Sequence, residues 1–335
     1  MSNLVIYLDL VHGVIRMTLP NPRFIERIHS TVGPLISNRM PLNPIVGSIY
    51  EISVAIGDPE TIPPLSKLLA KSEIYDEGLG VMVSTDDYIW LIFDGKISLK
   101  IKRGQMRAWI IVHPEHERRI AGSCLLLAIE DALDYYGQFI LHAASLRLPD
   151  QDMNILIYAP SGTGKTTTTL SLLSEGFGLC SDDATILKIE NGVTTGWGFP
   201  RHLKVHKNTA FMLPWLTPLL TNEWDKEGEQ PLARKDLGVS YSVYDKDPQT
   251  ILGIFSLVRT SGDQCVAEPL STLEATIELT ADNVRVGSEG LLPVQERRLD
   301  NIINMVSNIQ VFKLSVGSDL KAISPEIARV LALKN

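Results

Sequence analysis

The sharpest alternation of apolar and polar residues is YIWLIF-DG-KISLKI (88–101), two strand-like runs flanking Asp94-Gly95. That dipeptide between alternating hydrophobics predicts a tight β-hairpin. The first hundred or so residues read as mostly β with a few short helices, punctuated by prolines at 20, 22, 34, 41, 44, 63 and 64. Residues 65–72 (LSKLLAKS), after Pro63-Pro64, predict one short helix. From about residue 116 the period lengthens. HERRIAGSCLLLAIEDALDYYG (116–137) reads as a helix closed by Gly137, and FILHAASL (139–146) as a strand. NILIYA (154–159) is a second, nearly all-apolar run of the kind found in the buried strands of an α/β sheet. A helix over 166–175, a strand in FGLCSDD (177–183) and a hairpin at Asn191-Gly192 follow. The stretch 208–250 is richer in proline and charge and reads as a mobile or partner-facing insertion. The strand IFSLVR, a helix near 294–307, the strand VFKLSV and a helix within 325–333 complete the pattern. The change of character predicts two domains, a β-rich 1–113 and an α/β 114–335.

Composition narrows the class. A chain of 335 residues that is 44% hydrophobic and 21% charged can bury a real core. Its net charge of −8 argues against a surface built to hold nucleic-acid phosphates. Three widely spaced cysteines, Cys124, Cys180 and Cys265, form neither a disulfide framework nor a structural zinc pattern. The N-terminal MSNLVIYLDLVHG lacks a cationic leader region, and no apolar run approaches the 18 or more residues of a spanning helix. A reduced, cytoplasmic protein without membrane partners is the expectation.

The strongest chemical signal is APSGTGKT at 159–166, between the strand NILIY and the helix-forming TTTTLSLLSEG. This is the strand–loop–helix context of a phosphate-binding loop, with Ala159 where the usual pattern begins with glycine. Gly162 and Gly164 allow the backbone angles that turn successive amides toward a phosphate, with Ser161, Thr163 and Thr167 completing the cradle. Lys165 brings a compact cation to the β/γ oxygens, and Thr166 a hydroxyl where Mg²⁺ needs a ligand.

FGLCSDD ends in Asp182 and Asp183, seventeen and eighteen positions past the lysine. A strand end at the same sheet edge would deliver both to the ligand crevice, one as a Mg²⁺ ligand and the other as a proton acceptor. His142 lies on the neighbouring strand and is a further candidate. Arg201 in GFPRHLKV could stabilise charge during transfer, as could Arg234, Lys235 or Arg259. The pairs His113/His116 and His202/His206 have helix-like spacing, but no carboxylate or Cys pattern completes a metal site, so both pairs read as structural.

In order and spacing, LHAASL, NILIYAPSGTGKTTTTLSLL and GFGLCSDDATIL resemble the HPr serine kinase/phosphorylase family, and more closely its shorter HPr-kinase-like relatives. The resemblance covers roughly 117–317. It implies an α/β fold whose P-loop nucleotide-binding core is of the phosphoenolpyruvate-carboxykinase type, behind a β-rich N-terminal domain. It also implies ATP and Mg²⁺ as cofactors, with Asp182 as proton acceptor for a serine hydroxyl and Asp183 on the Mg²⁺ side. The histidine before the loop strand belongs to the same pattern. Residues 1–110 do not look like the founding enzyme's N-terminal domain, and its second signature is at most reduced to GWGFPRHLKV. Relatives that phosphorylate a serine in a ribosomal peptide precursor, such as a lasso peptide, therefore fit as well as HPr kinases do.

The expected function is an ATP- and Mg²⁺-dependent serine kinase acting on a small protein or peptide, with homo-oligomerisation left open. Two alternatives stand beside it: a nucleotide-sensing module that transfers nothing, and a small-molecule kinase.

Overall fold

The computed structural model describes residues 3–41, 49–59, 69–75, 78–84, 87–93, 95–199, 201–221, 223–284, 286–287, 290–291 and 293–332. By contacts the chain divides into two compact units, Met1–Gln138 with Val286–Val294, and Phe139–Arg285 with Gln295–Asn335.

In the first unit β1 (Leu4–Asp9), β2 (Val14–Leu19), α1 (Arg23–Val32), β3 (Ile36–Ser37) and β4 (Tyr50–Ile56) come first. Then follow β5 (Leu69–Tyr75), β6 (Gly78–Ser84), β7 (Tyr88–Phe93), β8 (Ile97–Lys102) and β9 (Arg107–Val112). A 3₁₀ turn over Pro114–Ala121 leads to α2 (Ser123–Tyr135). The strands form one sheet in the order β3-β1-β2-β4-β9-β8-β7-β6-β5. The hairpin read at Asp94-Gly95 is present as β7–β8, with Phe93 opposite Ile97; Asp94 itself lies outside the described residues. The helix expected over 65–72 is not found: 65–68 lie outside the described residues, and Leu69–Tyr75 pairs antiparallel with β6. Cross-strand pairing overrides a local helical preference there.

Division by contacts extends the first unit past the residue 113 read from the sequence, to Gln138, and adds Val286–Val294 to it. Gly122 ends the 3₁₀ turn in extended backbone, so the helix starts at Ser123, and its polar groups reach back into the first sheet. Tyr50 Oη donates to Asp131 at 2.6 Å, while Tyr136 Oη donates to the Val14 carbonyl at 2.7 Å and accepts from the Tyr50 amide at 2.9 Å.

The second unit opens with β10 (Gln138–Leu141), β11 (Ala144–Arg147), β12 (Met153–Tyr158), α3 (Lys165–Ser174) and β13 (Gly178–Ser181). It continues with β14 (Thr185–Glu190), β15 (Val193–Gly198), β16 (Leu203–His206), α4 (Lys207–Met212), β17 (Glu229–Leu232) and α5 (Arg234–Leu237). Next are β18 (Gln249–Arg259), β19 (Cys265–Pro269) and α6 (Thr272–Asn283). The two-residue strands β20 (Val286–Gly287) and β21 (Gly290–Leu291) and the start of α7 (Pro293–Asn308) belong to the first unit, and β22 (Gln310–Val316) and α8 (Ile323–Val330) complete the second. The main sheet runs β10-β14-β15-β18-β12-β11-β13, with β22 on β18 and β19 on β22.

Alternation along β12 explains the layering. Ile155 and Ile157 join a core with Leu170, Leu172 and Leu173 of α3 and Ile323 and Ile327 of α8. Leu156 and Tyr158 join another with Ala275 and Leu279 of α6 and Ile302, Met305 and Val306 of α7. Helices therefore cover both faces, and a strand buried on both faces reads as one apolar run. The stretch 208–250 is no detached insertion: Leu213, Leu216, Leu232 and Leu237 are buried in the core on the α3 face. Among the described residues no helix is long and apolar enough to cross a membrane.

Candidate functional site

Strand direction assembles the site. β12 pairs parallel with β18, and β18 parallel with β22, so Tyr158 and Arg259 end at one sheet edge. β11 runs antiparallel to both β12 and β13. Hence β13 ends at that edge, delivering Asp182 and Asp183, and β11 begins there. The run FILHAASL, expected as one strand, breaks at His142 and Ala143, so His142 stands in the connection at the edge rather than within a strand.

The glycine-rich loop has the geometry its sequence demands. Gly162 sits at φ +79° and Gly164 at φ +108°, angles that L side chains rarely adopt. Gly164 caps α3, whose first amides point out of the helix with its positive dipole end. Close approach matters as well, since a Cβ on Gly164 would lie 2.9 Å from the Arg259 guanidinium. Arg259 Nε donates to the Thr163 carbonyl at 3.3 Å and Nη1 to the Gly317 carbonyl at 3.4 Å. It braces the glycine-rich loop against the Gly317 turn. Ser161 and Gly162 are exposed.

Lys165 is buried, and its Nζ lies 3.0 Å from Asp183 Oδ1 and 2.8 Å from His142 Nε2. An ammonium only donates, so Nε2 is the acceptor and the ring proton resides on Nδ1, 3.4 Å from Asp183 Oδ1. The environment agrees. Burial holds the His142 imidazolium below its ordinary range, and Lys165 adds to that against the opposing pull of Asp183. Burial alone would raise Asp183, but Lys165, His142 and Arg201 together carry it below the usual carboxylate range.

Asp182 is the opposite case. It is 6% exposed, and burial, reinforced by the neighbouring Asp183 charge, pushes its carboxyl up to about 7. Its Oδ2 accepts from Thr166 Oγ1 at 3.4 Å. Two Mg²⁺ ligands at right angles stand about 3 Å apart, so these two oxygens lie close to a chelating pair. The structure thus sets Thr166 beside Asp182, whereas the sequence grouped it with Asp183.

The other candidates separate by contact. Arg201 lies in the electrostatic field of His142 and Asp183, its guanidinium 5.5 Å from the Phe199 ring centroid. Arg234 is buried, with Nη2 2.7 Å from Asp245 Oδ1 and 2.9 Å from the Tyr244 carbonyl. Its charge nevertheless lowers the Asp182 carboxyl slightly against burial. Lys235 is exposed. Thr167, read as a cradle residue, has its buried hydroxyl 2.8 Å from that of Thr209, a bond that fastens α3 to α4.

Two residues escape sequence reasoning. Asn283, 4% exposed at the end of α6, accepts the His142 amide through Oδ1 at 2.6 Å and donates through Nδ2 to the Leu279 carbonyl at 2.8 Å. Tyr158 Oη donates to Asp282 at 3.2 Å. The bonds to His142 and to Asp282 span 141 and 124 positions, and no local pattern announces them.

No protein-family model and no curated protein matches the chain. Among solved structures it is similar to the Hpr(Ser) kinase/phosphatase from Coxiella burnetii. The identity is 17% and the TM-score 0.32, over 57% of this chain and 95% of that one.

Proposed function

We propose that the chain is a phosphotransferase that moves the terminal phosphoryl group of ATP to a hydroxyl, a serine on a small protein or peptide. The observation that carries this reading is the convergence, at one sheet edge, of a buried Lys165, left-handed Gly162 and Gly164, and an Asp182 carboxyl poised at about 7. Loop amides and Lys165 hold the β- and γ-phosphates, with Lys165 exchanging Asp183 for phosphate oxygen. The acceptor oxygen bonds to the γ-phosphorus as the bond to the ADP oxygen breaks, and the hydroxyl proton passes to Asp182. A base titrating near neutrality is both available and strong enough at physiological pH. His142 is a positioning residue that keeps Lys165 aimed as a neutral acceptor, and Arg201 and Arg259 add charge near the transferred group. Mg²⁺ when bound would neutralise charge between the phosphates, and Thr166 with Asp183 is the oxygen set that would hold it in this reading. A soluble cytoplasmic setting belongs to the same proposal.

The 3.4 Å spacing of Thr166 and Asp182 favours a second reading, in which Asp182 holds the metal and Asp183 takes the proton. Asp182→Asn separates the two. If Asp182 is the base, turnover falls about 10²–10⁴-fold with the Mg²⁺ dependence unchanged. If it is the metal ligand, the Mg²⁺ concentration needed for half-maximal rate rises instead. Calorimetry tests the foundation: wild-type chain that fails to bind ATP·Mg²⁺ removes both readings. Binding without transfer to any serine-bearing peptide leaves a nucleotide sensor.

A further inference from the structure

We propose that His113, Glu115 and His116 in the first unit form a binding site for a zinc-class divalent cation, with Asp58 beside them as an additional oxygen donor. One ligand atom from each of His113, Glu115 and His116 lies within 4.8 Å of the others. Two imidazoles and a carboxylate are the donor set that borderline cations such as Zn²⁺ select over Mg²⁺.

The backbone makes the cluster. His113 directly follows β9, and Pro114 opens the 3₁₀ turn with its fixed φ. His113 caps the turn in extended backbone and His116 sits at a kink within it, at φ −120° and ψ 21°, and the two rings come to lie beside each other. The His113 amide donates to the Lys96 carbonyl at 2.8 Å and the His116 amide to the His113 carbonyl at 2.9 Å, so both ring-bearing residues are fixed at their main chain. Asp58 arrives by sheet register. Ile56 pairs with Val112 at the ends of β4 and β9, and the Gly57 amide donates to the Val112 carbonyl at 3.0 Å. His113 Nε2 and Asp58 Oδ1 are then 3.9 Å apart.

Distances suit ligation. A metal about 2.0–2.1 Å from one nitrogen of each of two rings in tetrahedral geometry sets their centroids about 5 Å apart. Here the centroids are 5.7 Å apart and tilted by 45°, within a side-chain adjustment of that value. His113 Nδ1 accepts the Glu115 amide in a long 3.3 Å cap. Ligation through Nε2 moves the ring proton to Nδ1, and the amide of the exposed Glu115 passes to water. Bound there, the ion clasps the ends of two central strands to the turn that leads into α2.

The test uses the full chain, freed of metal by chelation and held in excess Mg²⁺ so that oxygen-only sites are filled. Titration with Zn²⁺ by calorimetry should show saturable binding of about one equivalent. His113→Ala and His116→Ala should each weaken it at least about tenfold, since even partners outside the ligand shell are worth 10–100-fold. Glu115→Gln should weaken it with both rings intact. Co²⁺ should give the visible bands of a nitrogen-ligated site in the wild type and lose them in either histidine variant. Equal Zn²⁺ affinity in wild type and in the His113→Ala/His116→Ala double variant, with matching circular dichroism, would overturn the proposal. So would the absence of saturable binding in the wild type.

Discussion

Asp182 links stability and chemistry in a way that can be measured without knowing the acceptor. Its carboxyl is pushed from an ordinary 3.8 to about 7, first by burial and then by the charge of Asp183. The folded state therefore holds this proton more tightly than the unfolded chain. The stabilisation from that proton is fully present below pH 3.8 and is lost as pH rises through 7. At about 1.4 kcal/mol per tenfold difference in proton affinity, the whole effect is roughly 4 kcal/mol, of which about 2–3 kcal/mol develops between pH 5 and pH 8. Asp182→Asn keeps the shape and removes the charge, so the variant should gain on wild type as pH rises. Urea unfolding of both proteins across that range, followed by a probe in the second unit, gives the gap directly. A gap that stays constant or narrows toward alkaline pH refutes the claim that the fold holds this carboxyl against its ionisation. The gain should accompany the loss of turnover, because burial makes the group costly to ionise and useful as a base at once.

Other consequences follow from single contacts. Lys165→Ala should abolish ATP binding in calorimetry while the chain stays folded, and wild-type affinity would contradict the role given to the loop. Thr167→Val should cost about 1–3 kcal/mol by stranding the buried Thr209 hydroxyl, and Thr167→Val/Thr209→Val should recover most of it; thermal melts with unchanged ATP affinity check both. Gly198→Ala would drive a Cβ into the Cys180 carbonyl group, backbone atoms that cannot rotate away. It should cost more than about 3 kcal/mol or prevent expression, and a wild-type unfolding midpoint would disprove the close approach of β13 and β15.

Much of the site was legible because its signals are local. A glycine that needs positive φ, a lysine at a helix start and a carboxylate pair after a buried strand all announce themselves within a dozen residues. Asn191-Gly192 marked the β14–β15 turn, with Asn191 at φ +52° and Gly192 at φ +78°, for the same reason. What the chain concealed is set by partners far away in sequence. The break at His142 is invisible in an apolar run, since burial looks the same on either side of it. Arg234 cannot be told from a phosphate ligand until Asp245 is seen beside it. Two tyrosine hydroxyls that tie the region of α2 to the first sheet have partners 81 and 122 positions away.

Lys165 at rest already has a counter-ion in Asp183, which it shares with His142. Any incoming anion must displace that carboxylate, so a lone chloride or acetate gains little by arriving, whereas a polyphosphate tail, gripped at once by several main-chain donors, can outbid it. If the loop holds phosphates as proposed, the fold thereby sets an entry threshold counted in simultaneous contacts, which favours long anions over short ones before any base or sugar is recognised.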